Sequence, residues 1–138
     1  MQISYGRPAQ ELYVFFGANT IGNNTTVRFL MPGYVGTLAP TTPKGLRITD
    51  SRRINRISVY ANTAGTGTGS YTFTLVKIVA GVANATSLLL TILSTASSGT
   101  AIGSVDLVEG DIIGIQITPT GTISSGNDYF VSLGSTDK

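Results

Sequence analysis

An all-β fold, an antiparallel β-sandwich, is predicted for this chain by three observations. Apolar residues recur at every second position through much of the sequence. Glycine is abundant, at 17 of 138 residues, and clusters of it, as at Gly65-Thr66-Gly67-Thr68-Gly69, separate apolar runs. Turn signals punctuate those runs roughly every 8–12 residues, the spacing of short strands in sandwiches and barrels. A length of 138 residues suits one domain spanning 1–138, since a fold of about 150 residues buries roughly 68–70% of its unfolded surface.

The elements follow in order. Residues 1–10, opening Met1-Gln2-Ile3-Ser4-Tyr5-Gly6-Arg7-Pro8, are expected to form an extended arm. They lack the charged start and apolar stretch of a signal peptide, and no apolar run nears the ~20 residues needed to cross a bilayer. The chain therefore reads as made and used in solution. Leu12 to Phe16 and Thr25 to Met31 have strand character. Pro32, Pro40 and Pro43 then break the chain, and Leu38 to Gly45 is expected to be an exposed, partly extended loop.

From Asn55 to Asn62 the alternation is clean, with Ile57, Val59 and Ala61 set against Arg56, Ser58, Tyr60 and Asn62. Successive strand side chains point to opposite faces, so one row is buried and the other solvated. Gly65-Thr66-Gly67-Thr68-Gly69 reads as a flexible hairpin loop. It has no Lys-Ser/Thr ending and no following helix, so it does not cradle phosphate. In Tyr71 to Val79 the apolar face switches from Tyr71, Phe73 and Leu75 to Val76 and Ile78, as at a bulge or in a strand covered on both sides. Gly81 and Asn84 mark the next turn.

Leu88-Leu89-Leu90 lies within Thr86 to Leu93 and suits burial on both faces. Its β-branched neighbours Thr86, Thr91 and Ile92 favour strand over helix. Val105 and Leu107 lead into a tight turn at Glu109-Gly110-Asp111. Ile113, Ile115 and Ile117 then alternate with Gly114, Gln116 and Thr118, and Tyr129, Val131 and Leu133 close the pattern.

Composition limits the chemistry. There is no histidine and no cysteine, and only 12% of residues are charged. Nucleophilic triads and zinc sites lose their usual members, and a disulfide framework is ruled out. No cofactor or metal is expected, and the protein is read as a non-enzyme. Asp106, Glu109, Asp111 and Asp128 are the remaining candidates for a carboxylate pair or a calcium loop. Three of them crowd one turn, where a solvated tip is the simpler account. Asn23-Asn24-Thr25-Thr26 and Asn84-Ala85-Thr86 match the glycosylation pattern, which is taken as accidental without a signal peptide.

Charge is unevenly placed. The formal charge is +5 from Met1 to Gly69 and −3 from Ser70 to Lys138, for a net +2. Such a chain can present complementary patches to copies of itself or to a charged scaffold, unless the fold mixes the halves. The densest feature is Lys44, Arg47, Arg52, Arg53 and Arg56. It reads either as an anchor for an acidic protein surface, given the planar fork of arginine, or as a solvated strand edge. No aromatics interleave it before Tyr60, so nucleic acid is not an expected partner. No membrane partner is expected either.

Ile54-Asn55-Arg56-Ile57-Ser58-Val59-Tyr60-Ala61-Asn62, Tyr71-Thr72-Phe73-Thr74-Leu75-Val76-Lys77 and the segment Val105 to Pro119, with Glu109-Gly110-Asp111 before an alternating strand, carry a resemblance. They resemble the β-sandwich domains of tailed-phage virion proteins, among them capsid decoration (cement) proteins and tail-fibre tips. They are also similar to the jelly-roll of tumour-necrosis-factor-like and complement-head-like trimers. The resemblance covers about half the chain and reflects a fold more than a site.

It implies a jelly-roll sandwich with an N-terminal arm that assembles, as a trimer, on the exterior of a virion capsid after synthesis in the host cytoplasm. The implied partners are the major capsid protein and further copies of the chain. Met1 to Pro8 and Leu38 to Gly45 are the implied reaching segments, and no catalytic residue carries over. The alternative is a receptor- or glycan-binding tip of a tail fibre. That role needs an aromatic platform, for which Tyr5, Tyr13, Tyr34, Tyr60, Tyr71 and Tyr129 are the tyrosines present.

Overall fold

A computed structural model describes residues 12–23 and 26–137. The expected arm, residues 1–10, lies outside the described residues. No helix forms among them; the chain is all-β. One sheet orders as β3 (Met31–Pro32), β1 (Leu12–Ala18), β12 (Asn127–Asp137), β5 (Arg52–Thr63) and β9 (Ser98–Leu107). The second orders as β2 (Arg28–Phe29), β10 (Ile112–Thr120), β7 (Ser70–Val79) and β8 (Val82–Leu93), with β4 (Leu46–Arg47) also paired to β10. A two-stranded ribbon joins β6 (Thr66–Gly67) to β11 (Ile123–Ser124). All these strand pairs are antiparallel.

The pairings nest. β7 pairs with β8 across the Ala80–Gly81 turn, β5 with β9, β2 and β4 with β10, and β1 with β12. Each pair encloses the one before it, as in one long hairpin. Contacts of β12 with β5 and of β10 with β7 then roll that hairpin into two layers.

One core fills the space between the layers. Ile57, Val59 and Ala61 of β5 and Val131 and Leu133 of β12 meet Tyr71, Phe73 and Leu75 of β7 and Ile113, Ile115 and Ile117 of β10. The alternation read from the sequence is the reason, since period two places each row on one face. Burying the three isoleucines of β10 contributes on the order of 1.5–3 kcal/mol apiece, before entropy is counted.

At one side β8 and β9 come together although they belong to different sheets. Glycine makes the approach possible: a Cβ on Gly99 would sit 2.6 Å from Ile92 Cγ2, and one on Gly103 2.9 Å from Leu88 Cδ1.

Several expectations are corrected. Leu88 and Leu90 are buried but Leu89 is exposed, because β8 is a sheet edge with one covered face. Thr25 to Met31 is not one strand: β2 and β3 belong to different sheets, and the chain crosses between them at buried Leu30. The glycine-rich segment after β5 is a crossover between sheets rather than a free hairpin. Thr66 and Gly67 pair with Ser124 and Ile123, and Gly65 and Gly69 are buried against neighbouring carbonyls. The face switch in β7 coincides with a bulge between Thr74 and Val76 in its pairing with β8.

The loop Leu38 to Gly45 is exposed at Leu38, Thr41, Thr42 and Gly45, as expected, and is tied down at both ends as a strap. Phe29 N donates to Pro40 O (2.8 Å) at one end. At the other end a Cβ on Gly114 would lie 2.5 Å from Lys44 O, and one on Gly45 2.9 Å from Ile78 Cδ1. Phe29 and Val76 are buried on this outer side, apart from the core between the layers.

Candidate interaction surfaces

The five basic residues divide between the layers. Arg52, Arg53 and Arg56 ride on β5, while Arg47 lies on β4 and Lys44 just before it. Ile48 N donates to Asp111 O and Gly110 N to Ile48 O, both 2.8 Å, which pins the end of β4 to the β9–β10 turn. Arg47, Arg52 and Arg53 therefore gather at one end of the sandwich. Lys44 and Arg56 each sit three residues further in, about 10 Å along their strands.

That end is a mosaic of both signs. Arg52 Nε donates to Asp50 Oδ1 (2.8 Å) and its Nη2 to Asp50 Oδ2 (3.0 Å). The pair is a fork against a carboxylate, the geometry that suits arginine. Arg53 Nε donates to Asp106 Oδ1 (2.8 Å), and this hydrogen-bonded carboxylate holds the guanidinium pKa above its ordinary value. Lys77 Nζ lies 3.4 Å from Asp111 Oδ2 and donates to Asp106 O (3.1 Å). The basic first half thus meets acids of the second half across β5 and β9, so the fold mixes the two at this end.

Asp106 and Asp128 do not assemble into a reacting pair. Asp111 Oδ2 accepts from Val108 N (3.0 Å) and closes the turn in which Gly110 has φ 95°. Glu109 is exposed beside it. Asp106 lies opposite Arg53 near the start of β5, whereas Asn127, next to Asp128, lies opposite Thr63 at its end. Ten strand residues put Asp106 and Asp128 about 33 Å apart, far beyond the roughly 5–9.5 Å of paired glycosidase carboxylates. Among the described residues no cluster of three or more metal-ligating side chains occurs.

A second surface lies on the outer face of the β3-β1-β12-β5-β9 sheet. Register places Phe15, Ser132, Ser58 and Thr100 in one cross-strand row and Gly17, Phe130, Tyr60 and Ser98 in the next. Phe15 is 57% exposed and Tyr60 55%. Gly17 leaves a gap that neighbours fill: a Cβ there would lie 2.9 Å from Gly33 O and 3.2 Å from Phe130 Cδ1. Through that gap Tyr34 settles on Phe130, with ring centroids 5.4 Å apart and planes at 22°. The Tyr34 hydroxyl donates to Asp128 Oδ1 (2.6 Å). This hydrogen bond is the main reason the tyrosine pKa is raised, with a little desolvation and the nearby carboxylate charge adding to it.

The sequence offers Tyr34 and Tyr60 among six tyrosines for an aromatic platform and Asp128 among the acids, but does not single out Phe15 or Phe130. A signal was present. Phe130 falls on the polar side of the Tyr129, Val131 and Leu133 alternation, and Tyr60 on the polar side of Val59 and Ala61. The stacking of Tyr34 on Phe130 was beyond reach, because it depends on strand register and on the missing side chain at Gly17.

A cavity of about 430 Å³ opens among Thr20, Gly22, Asn23, Arg28, Leu38 and Ser125. Arg28 Nη1 donates to Ala39 O (2.8 Å), while its buried Nε has no hydrogen-bond partner among the described residues. Ser125 bridges the rim: its hydroxyl accepts from Ile21 N (3.1 Å) and its amide donates to Asn23 Oδ1 (2.7 Å). No known protein-family model matches the chain, and no characterised protein matches it as a relative.

Proposed function

We propose that this chain is a structural virion protein, a jelly-roll domain that decorates the exterior of a bacteriophage capsid. The observation that carries the reading is the nested pairing of strands around Ala80–Gly81, rolled into two layers. Two interlocked Greek keys are the topology of jelly rolls, a fold common in capsid domains. Its work would be contact: many weak interfaces repeated by symmetry make attachment durable through avidity.

The attachment surface in this reading is the end that carries Arg47, Arg52 and Arg53, with Lys44 and Arg56 behind it. The partner is the major capsid protein. Reversing Arg52 and Arg53 together to Glu is expected to lower occupancy on preformed cognate shells, measured by co-sedimentation. Unchanged occupancy would remove the arginines from the interface. Cell binding without shell binding by the unaltered protein would instead favour the fibre-tip reading.

Self-association, as a trimer, belongs to the same proposal and is supported by the β8–β9 side. β8 is a twelve-residue edge strand with no charged residue, and Leu89, Leu93 and, on β9, Ile102 are exposed. Soluble proteins normally blunt such edges with charge, proline or a cover. A Leu89→Lys, Leu93→Lys double variant is expected to lower the sedimentation mass to that of one chain.

A further inference from the structure

We propose that Tyr34, Phe130 and Asp128 form a carbohydrate site for a neutral pyranose. The ring of Tyr34 is fixed from two directions. Phe130 backs one face, and the hydroxyl is tied to Asp128. Its other face is presented to solvent, with Tyr34 47% exposed. A rigid aromatic ring with one open face suits the C–H side of a sugar, because little conformational freedom is lost on contact.

Asp128 supplies the polar half of the site. Its backbone is left-handed, with φ 57°, a conformation that costs energy in a residue other than glycine and recurs where a ligand group must be held in place. Asp128 N donates to Asn19 O (2.7 Å), which anchors that geometry. One carboxylate oxygen holds Tyr34; Oδ2 makes no bond among the described residues. In this proposal Oδ2 is the acceptor that receives a sugar hydroxyl in a charge-assisted bond. The carboxylate disfavours acidic sugars, so the class is neutral. Tyr60, opposite Phe130 in register, extends the aromatic floor.

This inference goes beyond the capsid reading and does not need it. The site lies toward the far end of β5 from Arg52 and Arg53, so a protein held at the arginine end would turn these rings outward.

The test is ligand-observed NMR of the full chain with cellotriose, maltotriose and chitotriose, each read by saturation transfer and by shifts of tyrosine signals. At least one trisaccharide is expected to bind and to perturb Tyr34. Tyr34→Ala should weaken it about tenfold or more, the factor that corresponds to losing one aromatic contact. Asp128→Asn keeps the left-handed backbone accessible and should weaken binding several-fold. Val79→Lys, exposed at the end of β7 and away from Tyr34, should change nothing, and amide dispersion checks that each variant is folded. Absence of binding to all three sugars overturns the site. So does binding that survives Tyr34→Ala, or tyrosine signals that respond to protein concentration instead of sugar. Shell occupancy is measured separately, so loss of either reading leaves the other standing.

Discussion

The two outer faces of the sandwich solve the same problem in different ways. On the β2-β10-β7-β8 sheet the chain covers itself. The Leu38–Gly45 strap is bonded to Phe29 and seated on Gly114, and Phe29 and Val76 are buried beyond the main core. On the β3-β1-β12-β5-β9 sheet Phe15 and Tyr60 are more than half exposed, and among the described residues Tyr34 folds back over Phe130. The first face buries Phe29 and Val76 although Leu89 and Leu93 stay exposed at its β8 edge, whereas the second keeps Phe15 and Tyr60 in contact with water. A bare aromatic patch on a natural surface marks a place of contact.

The sharpest way to probe this contrast is to remove one phenylalanine from the covered face. Phe29→Ala is expected to cost about 3–5 kcal/mol in urea unfolding, the range for a buried aromatic truncated to alanine. It should also loosen the strap, seen as faster amide exchange at Phe29, whose N–H bonds Pro40. A loss below about 1 kcal/mol would mean that the strap is not part of the folded core.

A subtler break adds atoms instead of removing them. Gly114 has no side chain, and the Lys44 carbonyl occupies the space where a Cβ would stand. Because the neighbour is backbone, it cannot swing aside. Gly114→Val is expected to destabilise by about 2 kcal/mol through overpacking. The same change at Gly33, where a Cβ meets nothing, tests a different cost, since its φ of 77° strains any side chain. Proteolysis near Thr41 and Thr42 should rise in the first variant and not in the second.

The strands and their inward rows were legible because period two needs no partner: Ile113, Ile115 and Ile117 announce a buried face by themselves. The sheet edges were not legible. Leu89 reads the same in a central strand as at an edge, and only the absence of a neighbour exposes it. The strap was hidden for a related reason, since a Pro-rich segment looks like any surface loop until Gly114 is seen beneath it. The site at Tyr34 joins residues separated by 96 positions. The charge asymmetry was visible, but its cancellation at Arg53 and Asp106 is a property of register.

Alkaline titration tests the layer between the two faces. Tyr71 is buried and its hydroxyl donates to Gly22 O (2.8 Å). Burial chiefly, with the neighbouring Tyr129 adding, pushes its pKa from 10.0 up to about 12. Unfolded chains release this proton near pH 10 while the folded protein holds it. In that window the unfolded state binds fewer protons, so stability falls as pH rises. Stability from this group should be level below pH 10 and decline from there to about pH 12. Tyr71→Phe is expected to flatten part of that decline while lowering stability at neutral pH through the lost bond to Gly22. Tyr34, raised by its bond to Asp128, acts in the same direction from the bare face.

The smallest effect is expected where the contrast is most exposed. Phe15 stands on the bare face, level in register with Ser132 and Ser58, and water already reaches more than half of it. Phe15→Ala should therefore change urea stability by no more than about 0.5 kcal/mol, the range for surface positions. The result should not depend on protein concentration, because the reading places self-association on the β8–β9 side. A loss above about 2 kcal/mol that grows with concentration would mean that another copy covers this face, since binding to the native state alone raises apparent stability by mass action. Paired with Phe29→Ala, the experiment sets two phenylalanines of one chain against each other, one enclosed by its own strap and one left open.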